Sequence, residues 1–233
     1  MQERLWRLRI FGDSIMRGIL YDDSSGDYVP MPGNKVLDNL SNSQIHIHNS
    51  SCFGYTSIKG LQLLRRAISR GLTTDGALLE FGGNDCDYRW REIAADPDKD
   101  HHPRTSLEDF ERTLCMMISL LERERIMPVL MTLPPIDPDR YVEHLCRLGL
   151  DRSAICYWLV DNDRMYHVQE AYSDRIKKIA LDTGTRLIDI RNGFLKVQDY
   201  GALLCKDGIH PNEEGHLLIW NTLHDHLKEL KSA

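Results

Sequence analysis

Five short apolar runs punctuate the chain, and each ends in turn-forming residues. Leu8-Arg-Ile-Phe11 leads into Gly12, Ile45-His-Ile-His48 into Asn49-Ser-Ser51, and Ala77-Leu-Leu-Glu-Phe81 into Gly82-Gly83. Met127-Pro-Val-Leu-Met-Thr-Leu133 leads into Pro134-Pro135, and Arg186-Leu-Ile-Asp-Ile190 into Arg191-Asn-Gly193. Short apolar runs bounded this way read as buried strands. Between them lie segments with helical spacing. Residues 57–70 carry Ile58, Leu61, Leu64, Ala67 and Ile68 on one face, and 107–125, 165–182 and 212–230 repeat the pattern. Thr105-x-x-Glu108 has the form of a capping box ahead of the second of these helices. Strands alternating with helices predict a parallel sheet covered on both faces, an α/β protein.

Two connections exceed what such a fold needs: 85–104, rich in Asp and His, and 134–164, which carries Tyr141, Tyr157 and Trp158. Long connections in compact domains are typically lids, binding walls or contact surfaces. A helical hairpin that merely packs is an equal reading of 134–164, and a subunit contact making a homo-oligomer is another. No internal repeat or low-complexity segment is present.

The length, 233 residues, suits one α/β domain, with 134–164 as an insertion in it. A mean hydropathy of −0.40 and the lack of a long apolar run predict no membrane span. The N-terminal segment lacks the apolar core and cleavage site of a secretory signal, so the expected location is cytoplasmic. A net charge of −6 without a basic run argues against a nucleic-acid partner. The six cysteines are scattered with no C-x-x-C and read as reduced structural thiols. Neither a P-loop nor G-x-G-x-x-G occurs, and no cofactor is expected.

The reactive-looking residues cluster at strand ends. Gly12-Asp13-Ser14-Ile15 follows the first run, Asn49-Ser-Ser-Cys-Phe-Gly54 the second, and Gly82-Gly83-Asn84-Asp85 the third; Asp207-Gly-Ile-His210-Pro211 precedes the last helix. Open parallel sheets bind ligands at that rim. A serine nucleophile needs a base, the base needs an orienting carboxylate, and the oxyanion needs donors. Ser14, His210 and Asp207 can fill the first three roles. The backbone N–H groups of Ser14 and Gly54, with the Asn84 amide, can supply the donors. Asp13 either braces the nucleophile turn or caps the following helix. Arg89 and Trp90 are candidate pocket residues, as are Tyr157 and Trp158.

These four blocks, in this order over residues 12–211, resemble those of the SGNH (GDSL-type) hydrolase family. The resemblance implies a flavodoxin-like α/β/α sandwich with a sheet of about five strands. It also implies hydrolysis of acyl esters without a metal, with Ser14, Asp207 and His210 as a triad and Gly54 and Asn84 in the oxyanion hole. Ile15 stands where the motif has Leu, which alters packing rather than chemistry. The expected substrate is a small-molecule or carbohydrate ester with a short acyl group such as acetyl. A lysophospholipase or thioesterase using the same residues is the enzymatic alternative, and a non-catalytic binding module is the alternative of another class. A metallophosphoesterase would need an Asp-x-His upstream of Gly12, and residues 1–11 hold neither Asp nor His. His46 and His48 share one strand face and read as surface histidines rather than metal ligands.

Overall fold

The computed structural model describes residues 5–32 and 45–232, the last four of these by backbone alone. The start of the N-terminal segment, residues 1–4, therefore lies outside the described residues. The five apolar runs all form strands: β1 (Trp6–Gly12), β4 (Ile45–Asn49), β5 (Gly76–Glu80), β6 (Met127–Met131) and β7 (Arg186–Ile188). They make one parallel sheet in the order β4-β1-β5-β6-β7. Two further strands, β2 (Ile19–Asp22) and β3 (Asp27–Pro30), form a separate antiparallel hairpin that the apolar pattern did not predict.

The central strands β5 and β6 are covered on both faces, which is why they are apolar at successive positions, whereas β4 at the sheet edge alternates and leaves His46 and His48 exposed. Phe11, Leu79 and Leu130 face a layer made by α2 (Ser57–Ser69), α5 (Leu107–Arg123) and α8 (Asp163–Thr183). Their neighbours Ile10, Leu78 and Val129 face the opposite layer, built from α9 (Ile190–Leu195) and α10 (Glu213–Ser232). Trp220 and Leu223 of α10 fill that side. The result is the three-layer α/β/α sandwich. Helix α5 is capped by Ser106, whose Oγ accepts the Asp109 N–H at 3.1 Å. The expected Thr105–Glu108 box is thus displaced by one residue, because Thr105 N–H is already bound to the Asp85 carbonyl.

A third cluster lies outside the sandwich. The 134–164 connection forms α6 (Pro138–Arg147) and α7 (Arg152–Leu159). Their apolar faces, with Tyr141, Val142, Leu145, Ile155 and Leu159, pack on Trp90 and Ile93 of the short helix α4 (Trp90–Ala95). The insertion therefore carries its own core and leans on the 85–104 connection. Among the described residues no helix is long and apolar enough to cross a membrane.

The sheet order positions the site. From β1 the chain places β4 on one side and β5, β6 and β7 on the other, so the order reverses between β1 and β5. Crevices in open α/β sheets form at the carboxyl ends of strands at that reversal. Here those ends are Gly12 and Glu80.

Candidate active site

Ser14 opens α1 (Ser14–Arg17), a single turn directly after β1. Asp13 both caps and braces: its Oδ1 accepts the Ile15 N–H at 2.9 Å and its Oδ2 accepts the Asn84 Nδ2–H at 3.0 Å. Gly12 is required by close approach, since a Cβ there would stand 2.8 Å from Glu80 Oε2. The loop after β4 is tied to this turn. Cys52 N–H donates to the Gly12 carbonyl at 3.0 Å, and Asn49 Nδ2–H to the Met16 carbonyl at 2.6 Å. Gly54 follows in a left-handed conformation, φ 71°, open to glycine at no steric cost. No described backbone carbonyl accepts its N–H. Asp85 is buried and accepts from Ser57 N–H and Oγ–H, so it fastens the start of α2 to α3 (Gly83–Cys86), the single turn that carries Asn84.

The last block supplies the other half. Gly208 has φ 77°, and its N–H donates to the Cys205 carbonyl, making the tight turn that sets Asp207 against His210. Asp207 is fully buried; its Oδ1 accepts the backbone N–H groups of Ile209 (3.2 Å) and His210 (3.1 Å). That leaves Oδ2 for the imidazole, 2.6 Å from His210 Nδ1. On the far side of the ring, Nε2 lies 3.0 Å from Ser14 Oγ. With Nδ1 bound to a carboxylate, Nε2 is free to accept the hydroxyl proton. Ser14 and His210 are separated by 196 positions in sequence and meet at hydrogen-bond distance.

These groups line one cavity of about 590 Å³. Ser14, Gly54, Asn84 and His210 stand at its chemical end, and Trp90, Leu145, Leu150 and Met165 make an apolar wall, Leu145 and Leu150 coming from the insertion. The Ser14 N–H, at the head of α1 with no preceding helical turn to accept it, has no backbone acceptor among the described residues, and Ser14 lines the same cavity as Gly54 and Asn84. Burial pushes the Asp13 carboxyl up to about 6, offset in part by its bond from Ile15 N–H and the nearby His210.

The profile of the GDSL-like lipase/acylhydrolase family matches residues 10–218. The chain belongs to this family. It is thereby a hydrolase acting on ester bonds. Among solved structures it resembles a lipase/acylhydrolase from Enterococcus faecalis (19% identity, 96% of each chain covered, TM-score 0.66). It also resembles the psychrotrophic esterase EstA from Pseudoalteromonas sp. (17% identity, 97% of this chain and 99% of that one, TM-score 0.63). A third relative in fold is Axe2, an acetylxylan esterase from Geobacillus stearothermophilus (20% identity, 94% and 93% covered, TM-score 0.63). No curated protein matches the sequence.

Not every candidate pocket residue reaches the cavity of this GDSL-type hydrolase. Asp13, Arg89 and Trp90 line it. Trp90 is held by donating Nε1–H to Asp87 Oδ1 and Tyr141 Oη, while Arg89 is exposed beside Glu92. Tyr157 and Trp158 do not line it. Tyr157 projects into solvent and donates its hydroxyl to Asp98, and Trp158 is packed between Tyr88 and the Arg164 guanidinium.

Other wall residues went unnamed in the sequence reading. Tyr28, on β3, lies with its ring 5.0 Å from that of His210, and its Oη is 3.0 Å from His144 Nε2 on α6. Phe53 stacks parallel to His210 at 6.3 Å. Burial lowers the His144 imidazole below its ordinary value, against the opposing charge of Asp207. The signal for Tyr28 was present: Asp22-Asp-Ser-Ser-Gly-Asp27 between Ile19-Leu-Tyr and Tyr28-Val is hairpin chemistry.

Proposed function

We propose that the protein is a serine esterase that works through an acyl-serine intermediate. Ser14 is the nucleophile, His210 the general base and then the general acid, and Asp207 the group that fixes the imidazole tautomer and stabilises the imidazolium. The ester carbonyl oxygen, as it gains charge, is held by the N–H groups of Ser14 and Gly54 and by Asn84. His210 returns its proton to the leaving alcohol, and a water activated by the same ring releases the acid. The observation that carries this reading is the continuous Asp207–His210–Ser14 line of hydrogen bonds opening into a cavity.

The cavity bears on substrate. Its volume lies in the range of about 300–1,000 Å³ that takes drug-sized ligands, far beyond what a two-carbon acyl group fills. The apolar wall of Trp90, Leu145, Leu150 and Met165 favours an ester with a medium-length acyl chain over the acetyl ester first expected. The resemblance to an acetylxylan esterase supports the acetyl reading, at 20% identity. Hydrolysis of p-nitrophenyl esters from acetate to decanoate, by wild type and Ser14→Ala, tests both. Each methylene buried adds about 0.8 kcal/mol, so kcat/KM rises with chain length and then breaks where the cavity ends. A profile that peaks at acetate refutes the medium-chain assignment. Equal turnover by wild type and Ser14→Ala refutes the esterase itself.

A further inference from the structure

One buried acid has no task in the hydrolytic scheme. Glu80 closes β5, is fully buried, and accepts the Asp13 N–H on Oε2 at 3.2 Å. Its Oε1 finds no partner among the described residues. The two carboxyls stand within hydrogen-bonding reach of each other, and the missing Cβ of Gly12 is what admits Glu80 to this place. Around the pair, the Met16 backbone N–H of α1 favours an ionised Glu80, while Asp85, Cys86 and His210 are the ionisable groups whose charge is felt between them and Asp13. No Arg or Lys forms an ion pair with either carboxyl among the described residues.

Of two neighbouring carboxyls with almost no solvent exposure and, among the described residues, no cation beside them, one is strongly driven to keep its proton. Asp13 uses both its oxygens as acceptors, from Ile15 N–H and from Asn84 Nδ2–H, which is the work of an ionised carboxylate. The proton therefore belongs on Glu80. Burial and the Asp13 charge push its carboxyl well above the ordinary range, in the same sense.

We propose that Glu80 is a positioning residue: it carries the proton of a buried Glu80–Asp13 carboxyl pair, and so keeps Asp13 an acceptor that aims Asn84 at the ester oxygen and fixes the head of α1. Losing that proton to solvent would leave two anions in contact and push Asp13 off Asn84. The activity arm of the test rests on the esterase reading; the stability arm does not.

Glu80→Gln replaces the acid with a neutral group that can always donate to Asp13, and Glu80→Ala removes the contact. With a p-nitrophenyl ester between pH 5 and 10, wild-type kcat is expected to fall toward alkaline pH with KM nearly constant. Glu80→Gln should keep neutral-pH kcat within about threefold and lose the alkaline fall, while Glu80→Ala should lose tenfold or more throughout. An unchanged alkaline fall in Glu80→Gln, or a Gln variant as impaired as the Ala one, overturns the proposal. The second readout is the thermal midpoint of wild type against Glu80→Gln across pH. A carboxyl whose folded value is raised costs nothing below its unfolded value, and its native state loses stability as pH rises toward the folded value. The wild-type midpoint should therefore drop relative to Glu80→Gln as pH climbs above about 5. A difference that stays constant with pH overturns the shared proton, whether or not the protein cleaves esters. Activity indistinguishable between wild type and Ser14→Ala would remove the esterase reading and leave this result standing.

Discussion

Replacing Asp207 by Asn exchanges one oxygen for an NH2 group, and the structure dictates which one. Oδ1 accepts two backbone N–H groups, from Ile209 and His210, in a fully buried turn, so the amide oxygen must stay there. The NH2 is then forced toward His210 Nδ1, where a carboxylate oxygen stood at 2.6 Å. Nδ1 must become the acceptor, and the ring's proton moves to Nε2, 3.0 Å from Ser14 Oγ. A ring that presents N–H to the hydroxyl cannot take its proton. In the well-studied serine protease triad the equivalent exchange lowers kcat about 10⁴-fold, which is about 5.5 kcal/mol of transition-state stabilisation at 1.36 kcal/mol per tenfold. We expect a loss of that order for Asp207→Asn on a p-nitrophenyl ester, with KM changed by no more than a few-fold. Stability should fall by no more than about 1–2 kcal/mol, since the backbone hydrogen bonds survive. Steady-state kinetics alongside urea unfolding separates the two. A variant within tenfold of wild-type kcat would refute the tautomer argument.

Asn84→Ala removes one oxyanion donor and should lower kcat by about 10²–10³ with KM nearly unchanged, measured on the same ester; a loss seen only in KM would place Asn84 in ground-state binding. Gly208→Ala puts a Cβ 2.5 Å from the Asp137 carbonyl oxygen and 2.8 Å from Tyr141 N at a left-handed φ. Backbone strain and overpacking together should cost about 2–4 kcal/mol, read as a lower midpoint in urea and reduced kcat. His216, buried against the Ile19 carbonyl with its other ring nitrogen unpartnered among the described residues, is pushed down by burial to about 4. Its folded value lies below its unfolded one, so stability is complete above about pH 6.5 and is lost as pH falls toward about 4, some 3 kcal/mol in all. Urea midpoints at pH 7 and 4.5 should show that loss in wild type and not in His216→Gln.

The sheet was legible because each strand carries a short apolar pattern, unbroken in β5 and β6 and alternating in β4, that stood out against polar turns. Helices 57–70, 107–125 and 165–182 were legible for the complementary reason, one apolar face each. Their ends were less so: Ser106 rather than Thr105 caps α5 because a tertiary bond from Asp85 had already claimed the Thr105 amide. The residues of the four blocks could be gathered on paper at strand ends because parallel topology leaves the carboxyl ends of all strands on one rim. What faces them could not. Tyr28 and Phe53 reach His210, and His144 reaches Tyr28, from a hairpin, a loop and an insertion helix whose relative placement depends on packing. The same limit misplaced Tyr157 and Trp158. Within α7 the sequence shows two adjacent aromatics, and only the third core cluster decides that Trp158 turns inward and Tyr157 outward. Asp13 was read as either brace or cap; its two oxygens do one each.

Covalent trapping tests most directly whether Ser14 is the nucleophile. The Pseudoalteromonas esterase, similar in fold, was solved in a form inhibited by monoethylphosphonate. Incubating this protein with an activated ethyl phosphonate ester and mapping the adduct by peptide mass spectrometry should find one equivalent, on Ser14, formed in step with loss of ester hydrolysis and absent from Ser14→Ala. An adduct on another residue, or full inhibition with Ser14 unmodified, would contradict it.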